Sequence, residues 1–423
     1  MDRVKGRAIK LQAMQTQIVR DRTKWLLLSF AFLATVINYL DRQTLSVMAP
    51  VLLEEFHISA QRYSYIVSAF MLAYTLMNGV SGRLLDRLGT KAGYAWTMAW
   101  WSAAEMLCAL AAGALSLGIF RFLLGMGEAG NYPAGVKLVA EWFPAEERSL
   151  ASGIFNSGSS VGAILAPPLL AWILLSAGWR TAFLAVGLLG FIWLAAWTRF
   201  YPKPKPGLKA VGQQDATDRL PLKSLLRSKF LWQFTLSKVF SDPAWYFYIF
   251  WVPQYLKVVH GFSMRRIGET AWIPFLTAAI GNLAGGVVFT ALLRFGRRTD
   301  TTRRIAILIF SVLMTSAVFV GESKSAAGCI ALISVATFGY TGALANLLAV
   351  PGDVFPKGAV ASIWGFASMG AGFGGMLFSL VTGWLVEHYS FQPTFVLFGI
   401  IPLISAWLVW TLPATEELAP ALS

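Results

Sequence analysis

The sequence predicts an all-α membrane protein with about twelve transmembrane helices, arranged as two pseudo-symmetric six-helix bundles. Composition is the first reason, because 56% of the 423 residues are hydrophobic and only 13% are charged. Ordinary soluble domains carry about 25% charged residues, and the mean hydropathy here is +0.60. An ordinary soluble domain is therefore excluded. Regularly spaced apolar segments and an internal repeat supply the other two reasons.

About twelve apolar segments are long enough to cross a bilayer as helices, which takes roughly 20 residues each. They cover residues 25–48, 62–81, 92–112, 115–140, 149–173, 179–200, 230–256, 267–293, 305–321, 326–350, 358–386 and 391–412. An even number of crossings returns the chain to the side on which it started. Both termini are therefore expected on one side of the membrane.

The net charge of +14 follows this topology and does not indicate a nucleic-acid partner, because lysines and arginines concentrate in alternate loops. Loops rich in these residues stay in the cytoplasm. The clusters are Arg3, Lys5, Arg7, Lys10, Arg20, Arg22 and Lys24 before the first span, Arg83, Arg87 and Lys91 after the second, the central linker, and Arg294, Arg297, Arg298, Arg303 and Arg304 after the eighth. Both termini are predicted to be cytoplasmic, although Lys257, Arg265 and Arg266 fall on the outer side.

Five regions follow from this pattern. They are a cytoplasmic N-terminal segment (1–24), an N-terminal six-helix bundle (25–200), a Pro- and Lys-rich cytoplasmic linker (201–229), a C-terminal six-helix bundle (230–412) and a cytoplasmic tail (413–423). The first apolar run lacks a small-residue cleavage site, so it is expected to remain as an anchor. Cys108 and Cys329 lie in predicted spans and are interpreted as small buried residues.

The two bundles resemble each other in sequence. Late in each half, a constant offset carries Gly153, Gly158 and Gly162 onto Gly365, Gly370 and Gly374, and earlier in each half a slightly shorter offset carries Pro50 onto Pro253. In each half the last two of these glycines lie four residues apart. Small residues at that spacing let helices approach closely, and we interpret Gly158 and Gly162, with Gly370 and Gly374, as packing residues. Parallel repeats of this kind occur in transporters that bind their substrate between the halves.

Three predicted spans carry charge near their middle. Asp41 and Arg42 adjoin in the first, and Lys238 and Asp242 are four residues apart in the seventh. Such residues cost roughly 2.5 to 3.5 kcal/mol each at a helix centre and usually face a watery pathway. In the fourth span, Arg121, Gly125 and Glu128 share one helical face. A static ion-pair network, and a self-contained bridge between Lys238 and Asp242, are the structural alternatives.

The loop after the second span closely matches the signature loop of the major facilitator superfamily. It reads GRLLDRLGTK from Gly82 to Lys91, and the resemblance implies a conformational latch built from Gly82, Asp86, Arg87, Gly89 and Lys91. The acidic side chain is suited to cap a helix N-terminus or pair with basic residues. A positively charged anchoring loop is the alternative. The corresponding loop of the second half, Gly286 to Arg298, lacks the acidic residue.

Other segments narrow the resemblance to the anion:cation symporter family, and within it to bacterial hexuronate transporters. They are Asn38–Arg42, Gln61–Ile66, the run EWFPAEERSLASGIFNSGSSVGAILAPP from Glu141, and Asp242–Trp245. The resemblance implies the major facilitator fold in the inner membrane, with Asp41 and Glu128 carrying protons, Arg121 coupling them, and Arg42 binding the substrate carboxylate. Lys238 aligns with a substrate-site position of the family. Glu105 matches no residue of the resemblance and is interpreted as lying near the outer surface.

Further substrate-binding candidates are polar residues of the predicted spans that could bond the hydroxyls of a polyol, namely Tyr74, Asn156, Ser159, Tyr340, Asn346 and Ser368. For each of them, a bond to a neighbouring helix is an equally good explanation. Trp245 could stack on a sugar face.

The sequence thus predicts a secondary transporter that imports an organic anion, a hexuronate or related sugar acid, with protons by alternating access. A proton-independent uniporter or exchanger, an aldonate substrate and a non-transporting sensor are the alternatives. No enzyme is predicted, because neither a Ser–His pair nor a metal-ligand cluster is visible, and no cofactor is expected. The expected partners are the anion, protons and the lipid bilayer, with the monomer as functional unit.

Overall fold

The computed structural model describes residues 2–144, 147–202, 226–296, 298–354 and 357–413, without the side chains of 2–21, 149, 357–359, 361 and 362. Most of the predicted linker and all of the predicted tail after Pro413 lie outside these ranges. The predicted division into five regions stays a prediction.

The described residues form thirteen α-helices and one 3-10 helix. In chain order they are α1 (Asp2–Glu55), α2 (Ala60–Cys108), α3 (Ala114–Glu128), α4 (Asn131–Trp142), α5 (Arg148–Phe200), α6 (Lys229–His260), α7 (Met264–Thr270), α8 (Ile273–Leu293), α9 (Thr299–Met314), the 3-10 helix (Thr315–Glu322), α10 (Ala326–Leu347), α11 (Val350–Val354), α12 (Lys357–His388) and α13 (Gln392–Trp410).

Two of these helices reverse direction at a glycine. A straight helix of 49 residues such as α2 would be about 75 Å long, far more than the roughly 30 Å hydrocarbon core. The chain breaks at Gly89, where φ is +76°, and α5 breaks at Gly178, where φ is +82°. Glycine adopts this left-handed region without steric cost. Each helix is therefore two membrane-length rods joined by a tight turn.

Seven described segments are apolar and long enough to cross a membrane: Arg22–Glu55, Leu150–Phe200, Met264–Leu293, Thr299–Glu322, Ala326–Val354, Ile363–His388 and Gln392–Trp410. Leu150–Phe200 supplies two rods. The remaining rods are the two of α2, the pair α3 and α4, whose helices have only 15 and 12 residues each, and α6. Together the described rods number twelve, and the predicted fold class is confirmed.

The pseudo-symmetry of the halves is visible at the first turn of each. Ser59 and Ser263 occupy equivalent places, and each accepts a hydrogen bond from the amide three residues on and so begins α2 or α7. The preceding helices end on left-handed residues at His57 (φ +49°) and Gly261 (φ +63°). Equivalent local sequences therefore set equivalent helix boundaries.

Close helix packing repeats as well. A Cβ added at Gly162 would lie 2.6 Å from the Val36 carbonyl oxygen, and one at Gly374 would lie 2.5 Å from that of Val239. The first contact joins α5 to α1, and the second joins α12 to α6. Both glycines let one helix backbone rest directly on another. The interpretation of the repeated glycines as packing residues agrees with these contacts.

The halves meet along α1 and α6 and along α2 and α12. Two of the hydrogen bonds between them run from the Ser46 hydroxyl to the Ile249 carbonyl and from the Tyr63 hydroxyl to the Phe250 carbonyl, at 2.5 and 2.8 Å. We call the side opposite the chain termini the distal side. These residues lie towards it, so the structure joins the two bundles there.

Candidate functional site

Arg42 of α1 is held by Glu128 of α3 inside the N-terminal half. Its Nη2 and Nε both donate to Oε2 of the carboxylate, at 2.8 and 3.2 Å. A longer bond of 3.4 Å joins Nη2 to Oδ1 of Asn38, one turn earlier on α1. The side chains of Arg42 and Glu128 are 5% and 0% exposed. The sequence-predicted anion anchor and one predicted proton carrier are thus a buried ion pair.

Aromatic rings surround the same guanidinium. Its central carbon lies 5.2 Å from the ring centroid of Tyr39, 5.5 Å from Phe70 and 4.9 Å from Tyr74. A cation over aromatic faces is stabilised in part by the ring quadrupole. Tyr74, a predicted substrate contact, therefore lies beside the predicted anion anchor.

Arg121 of α3 is fully buried one layer away. Its Nη1 donates to the backbone carbonyl of Asp41 at 3.1 Å and to Oε2 of Glu105 at 3.4 Å. Its guanidinium also lies 5.0 Å from the centroid of the Phe70 ring, so both arginines contact this ring. Asp41, Arg121 and Glu128 were predicted to act together, and the structure brings them into one cluster.

The assignment of Glu105 to the outer surface is wrong. This carboxylate is fully buried on α2 and pairs with Arg121. The sequence contained a signal, since a carboxylate within an apolar span needs a buried cation. The helix partner of Arg121 is set by the packing of α2 against α3.

Asp41 is fully buried, and within the described residues neither of its carboxylate oxygens has a hydrogen-bond partner. The same holds for Nε and Nη2 of Arg121, Oε1 of Glu105 and Oε1 of Glu128. The cluster thus contains unused donors and unused acceptors close together.

Counting charges shows what the cluster needs. Asp41, Glu105 and Glu128 would carry three negative charges, against two positive charges on Arg42 and Arg121. A buried charge without a partner costs several kcal/mol, so such a group takes up a proton instead. Each arginine already holds one of the two glutamates. Asp41 is the carboxylate of the three that has no side-chain ion pair among the described residues.

In the C-terminal half, Lys238 and Asp242 of α6 form an ion pair of 2.7 Å. The lysine ammonium also lies 5.7 Å from the Trp364 ring. The bridge between the two α6 residues, which the sequence left as an alternative, is therefore formed. Lys238 is nevertheless buried towards α12, so it remains a candidate cation for a substrate.

An aromatic stack occupies the place that corresponds to the Arg42–Glu128 pair. The shorter offset of the repeat carries Arg42 onto Trp245, and the longer offset carries Glu128 onto Tyr340. The rings of Trp245 and Tyr340 stack with centroids 5.3 Å apart and an angle of 9°. One face of Trp245 is thus already covered, by a residue that was itself predicted to bind substrate.

The remaining predicted contacts fall into two groups. The side-chain nitrogen of Asn346 donates to the carbonyls of Gly285 and Gly342 at 3.1 and 3.0 Å, which favours its structural alternative. Asn156 and Ser368 are exposed, and the hydroxyl of half-buried Ser159 donates to the Asn156 carbonyl at 2.7 Å. The structure does not bring these residues to the charge cluster by any hydrogen bond between described residues.

A family profile described as Major Facilitator Superfamily matches residues 31–362 and 273–422. The chain belongs to the major facilitator superfamily. It is a multi-pass membrane transporter rather than an enzyme.

Individual relatives within this superfamily cover nearly the whole chain. The chain is 35% identical over 412 residues to a hexuronate transporter of Escherichia coli strain K12, covering 93% of this chain and 95% of that protein. It is also 35% identical to a galacturonate transporter of Dickeya chrysanthemi, over 69% of this chain and 89% of that protein. The resemblance to hexuronate transporters that the sequence motifs indicated is confirmed.

A crystal structure of a D-xylose-proton symporter shares the fold. Its TM-score with this chain is 0.73 at 15% sequence identity, over 92% of this chain and 98% of that one.

In the superfamily's signature loop, Asp86 pairs with Lys137 of α4 at 2.8 Å, and the same ammonium donates to the Leu85 carbonyl at 2.9 Å. Sequence reasoning missed Lys137, although a lysine in a largely apolar span was a signal. Gly89 makes the turn and Lys91 donates to the Tyr201 carbonyl at 3.3 Å. The two further predicted latch residues are Gly82, which has open space beside it, and Arg87, which is exposed.

Proposed function

We propose that this protein imports an organic anion, a hexuronate or related sugar acid, together with protons by alternating access. The names of the relatives that match at 35% identity, a hexuronate and a galacturonate transporter, support the substrate class. The buried cluster of three carboxylates and two arginines, with room for a proton, is the observation that supports proton coupling.

Arg42 is the proposed anchor for the substrate carboxylate. Its planar fork suits a carboxylate, and both donors that face Glu128 fall on one oxygen, Oε2. Oε1 of Glu128 has no partner within the described residues and is the place for an incoming proton. A proton there neutralises Glu128 and releases Arg42 to the substrate. Binding of the anion and binding of the proton therefore favour each other.

The rest of the proposed site supplies a second cation and hydrogen bonds. Lys238 would exchange Asp242 for a substrate oxygen, from the half opposite Arg42. Tyr74 and Tyr340 offer hydroxyls, and Trp245 offers an aromatic edge. Asn156, Ser159 and Ser368 are further polyol contacts, with Asn346 holding the helices. Asp41, Arg121 and Glu128 carry and couple the protons.

The proposed import direction follows from the loop charges and the join between the halves. The loops rich in lysine and arginine support cytoplasmic termini, and the joined distal side would then face outwards. Rocking of the two bundles about the central site would open that side and close the other. We place the protein in the inner membrane, acting as a monomer.

Uptake by purified protein in liposomes tests the proposal. With D-galacturonate or D-glucuronate and an inward pH gradient of one unit, coupling to one proton supports about tenfold accumulation. D-glucose, which has no carboxylate, should not be accumulated. Uptake of the sugar acid that ignores the gradient would exclude proton symport and leave a uniporter or exchanger. A competition screen with aldonates would show whether they are the better substrates.

Two variants separate coupling from transport. Asp41→Asn and Glu128→Gln keep the shape of each side chain and remove the site for the proton. We expect both to lose gradient-driven uptake and to retain exchange of labelled against unlabelled substrate. Glu269→Gln is the matched control, because Glu269 forms an exposed ion pair with Arg265. Equal loss of both activities in the two variants would assign their carboxylates to structure instead.

A further inference from the structure

Glu105 and Asp41 both contact the guanidinium of Arg121, Glu105 through its carboxylate and Asp41 through its backbone carbonyl. Arg121 Nη1 is shared between Oε2 of Glu105 and the backbone carbonyl of Asp41, so the guanidinium lies between α2 and α1. Its bond to Glu105, at 3.4 Å, is long for a charge-assisted hydrogen bond, which is ordinarily about 2.7–2.9 Å. The arginine is therefore held loosely on the Glu105 side.

Unused hydrogen-bonding groups lie on both sides of this contact. Nε and Nη2 of Arg121 have no acceptor, and neither oxygen of Asp41 has a donor, within the described residues. All three side chains are fully buried, so water from bulk solvent does not compensate for them. Turning the guanidinium from Glu105 to the Asp41 carboxylate would satisfy Asp41 and leave Glu105 unpaired.

We propose that Glu105 is a positioning residue that competes with Asp41 for Arg121 and thereby decides when Asp41 holds a proton. While Asp41 is protonated, Arg121 pairs with Glu105, as observed. When Arg121 turns to Asp41, the proton passes from an Asp41 oxygen to Oε1 of Glu105. The charge of the cluster is the same before and after. This inference deepens the proposed function and rests on its assignment of Asp41 as a proton carrier.

Other charged and titratable groups around Glu105 are few. On α3 they are Arg121 and Glu128, on α1 Asp41, and on α2 itself Cys108, one turn further along. Glu128 is already paired with Arg42. Arg121 is therefore the cation available to both Glu105 and Asp41 among the described residues.

The C-terminal half lacks this competition. The longer offset of the repeat carries Glu105 onto Ala317 and Arg121 onto Ile333, and both of these residues are fully buried. The shorter offset carries Asp41 onto Ala244. All three members of the proposed switch are thus apolar in the half that carries no cluster of this kind among its described residues.

Thermal unfolding of the purified full chain in detergent tests the competition without requiring transport. We measure Tm across roughly pH 5 to 9 and locate the pH at which protonation of the cluster changes stability. In Glu105→Gln, Arg121 is released to Asp41 and stabilises its ionised form. That pH should therefore move down by about one unit. Glu269→Gln, the surface control, should leave it unchanged.

The double variant gives the decisive result. In an Asp41→Asn background, Glu105→Gln should produce no shift, because the competitor is gone. An unmoved pH dependence in the single variant, or the same shift with Asp41→Asn present, would overturn the proposal. Should Glu105→Gln not fold, Glu105→Asp gives the same comparison, with a smaller shift because its carboxylate is withdrawn from Arg121.

Transport assays separate this inference from the proposed function. Uptake by the unchanged protein that ignores a pH gradient would refute proton symport. The Tm measurements would then still report whether Glu105 and Asp41 share Arg121. Conversely, gradient-driven uptake together with independent effects of the two carboxylates would retain the function and refute the switch.

Discussion

In the N-terminal half, Arg42 and Glu128 form an ion pair, whereas at the corresponding places of the C-terminal half Trp245 and Tyr340 stack as aromatic rings. The positions are matched by the sequence offsets of the repeat. One half therefore places an ion pair, and the other a pair of aromatic rings, at positions that the repeat matches.

The backbone contacts differ much less. The approach of Gly162 to Val36 in one half is repeated by Gly374 and Val239 in the other. In the proposed transport cycle both halves rock as rigid bodies, so tight packing is needed in both, whereas the proposed proton binding needs only one of them. The comparison indicates that the repeat preserves close helix packing in both halves but places the Arg42–Glu128 ion pair in only one of them.

The largest expected effect is at Arg42. Arg42→Gln should weaken binding of a sugar acid by about 100-fold, roughly 2 to 3 kcal/mol, because it removes the guanidinium fork that binds the substrate carboxylate. Arg42→Lys keeps the charge but not the fork and should fall in between. Calorimetric titration of the purified variants with D-galacturonate measures both.

Trp245→Phe at the corresponding place is the comparison for this measurement. It should change affinity by no more than about threefold, because stacking on Tyr340 is retained. Equal losses of affinity from Arg42→Gln and Trp245→Phe would contradict the proposal that the N-terminal half supplies the main contact to the anion.

The second effect concerns the packing that both halves share. Gly162→Ala and Gly374→Ala should each destabilise the protein by about 1 to 3 kcal/mol, because the new methyl group collides with a backbone carbonyl. Tm of the detergent-solubilised protein measures the loss. Gly153→Ala and Gly365→Ala are matched controls, since nothing lies within 4 Å of a Cβ at either place.

A drop in only one of the first two variants would show that the halves do not share this packing. A similar drop in Tm in the control variants would show that the loss does not come from collision of the new methyl group with a backbone carbonyl.

How much of this could be predicted from the sequence differs between the fold and the site. The lengths of the apolar segments predicted the twelve rods, because the thickness of the bilayer fixes the length of each crossing. The charges of the first and fourth spans predicted a cluster, because buried charge needs partners. Which partners these are depends on how rods rotate and pack, so the pairing of Glu105 with Arg121 and of Asp86 with Lys137 could not be predicted.

The third prediction asks what Lys238 does apart from its bridge to Asp242. Lys238→Met alone leaves the Asp242 carboxylate buried without its cation and should reduce both Tm and affinity. The double variant Lys238→Met, Asp242→Leu removes both charges and should recover Tm, because a buried pair is often replaceable by apolar side chains.

Substrate affinity distinguishes the two roles. If Lys238 binds the anion, affinity stays about tenfold low in the double variant as well. If affinity recovers together with Tm, the bridge is structural, and all anion binding falls to the N-terminal half.

The smallest effect is expected at the latch. Asp86 is 75% exposed in its pair with Lys137, and exposed ion pairs contribute about 0.2 to 1 kcal/mol. Asp86→Asn should therefore shift the equilibrium between the inward-open and outward-open conformations by about threefold. The intrinsic affinity of the binding site for the anion should remain nearly unchanged. Accessibility of a cysteine introduced at Gly82, where space is open, reports the state to a membrane-impermeant thiol reagent.

The C-terminal half has its own ion pair on this side, between Arg303 and Asp353. It joins the start of α9 to α11, with the acidic residue on the later helix, so it reverses the charge order of Asp86 and Lys137. Asp353→Asn should match Asp86→Asn in the thiol assay if both pairs hold their half rigid. A response to Asp86→Asn alone would show that the two halves differ in their loops as well as in the buried cluster. The N-terminal half would then carry both the proposed proton site and the ion pair that controls the conformational equilibrium.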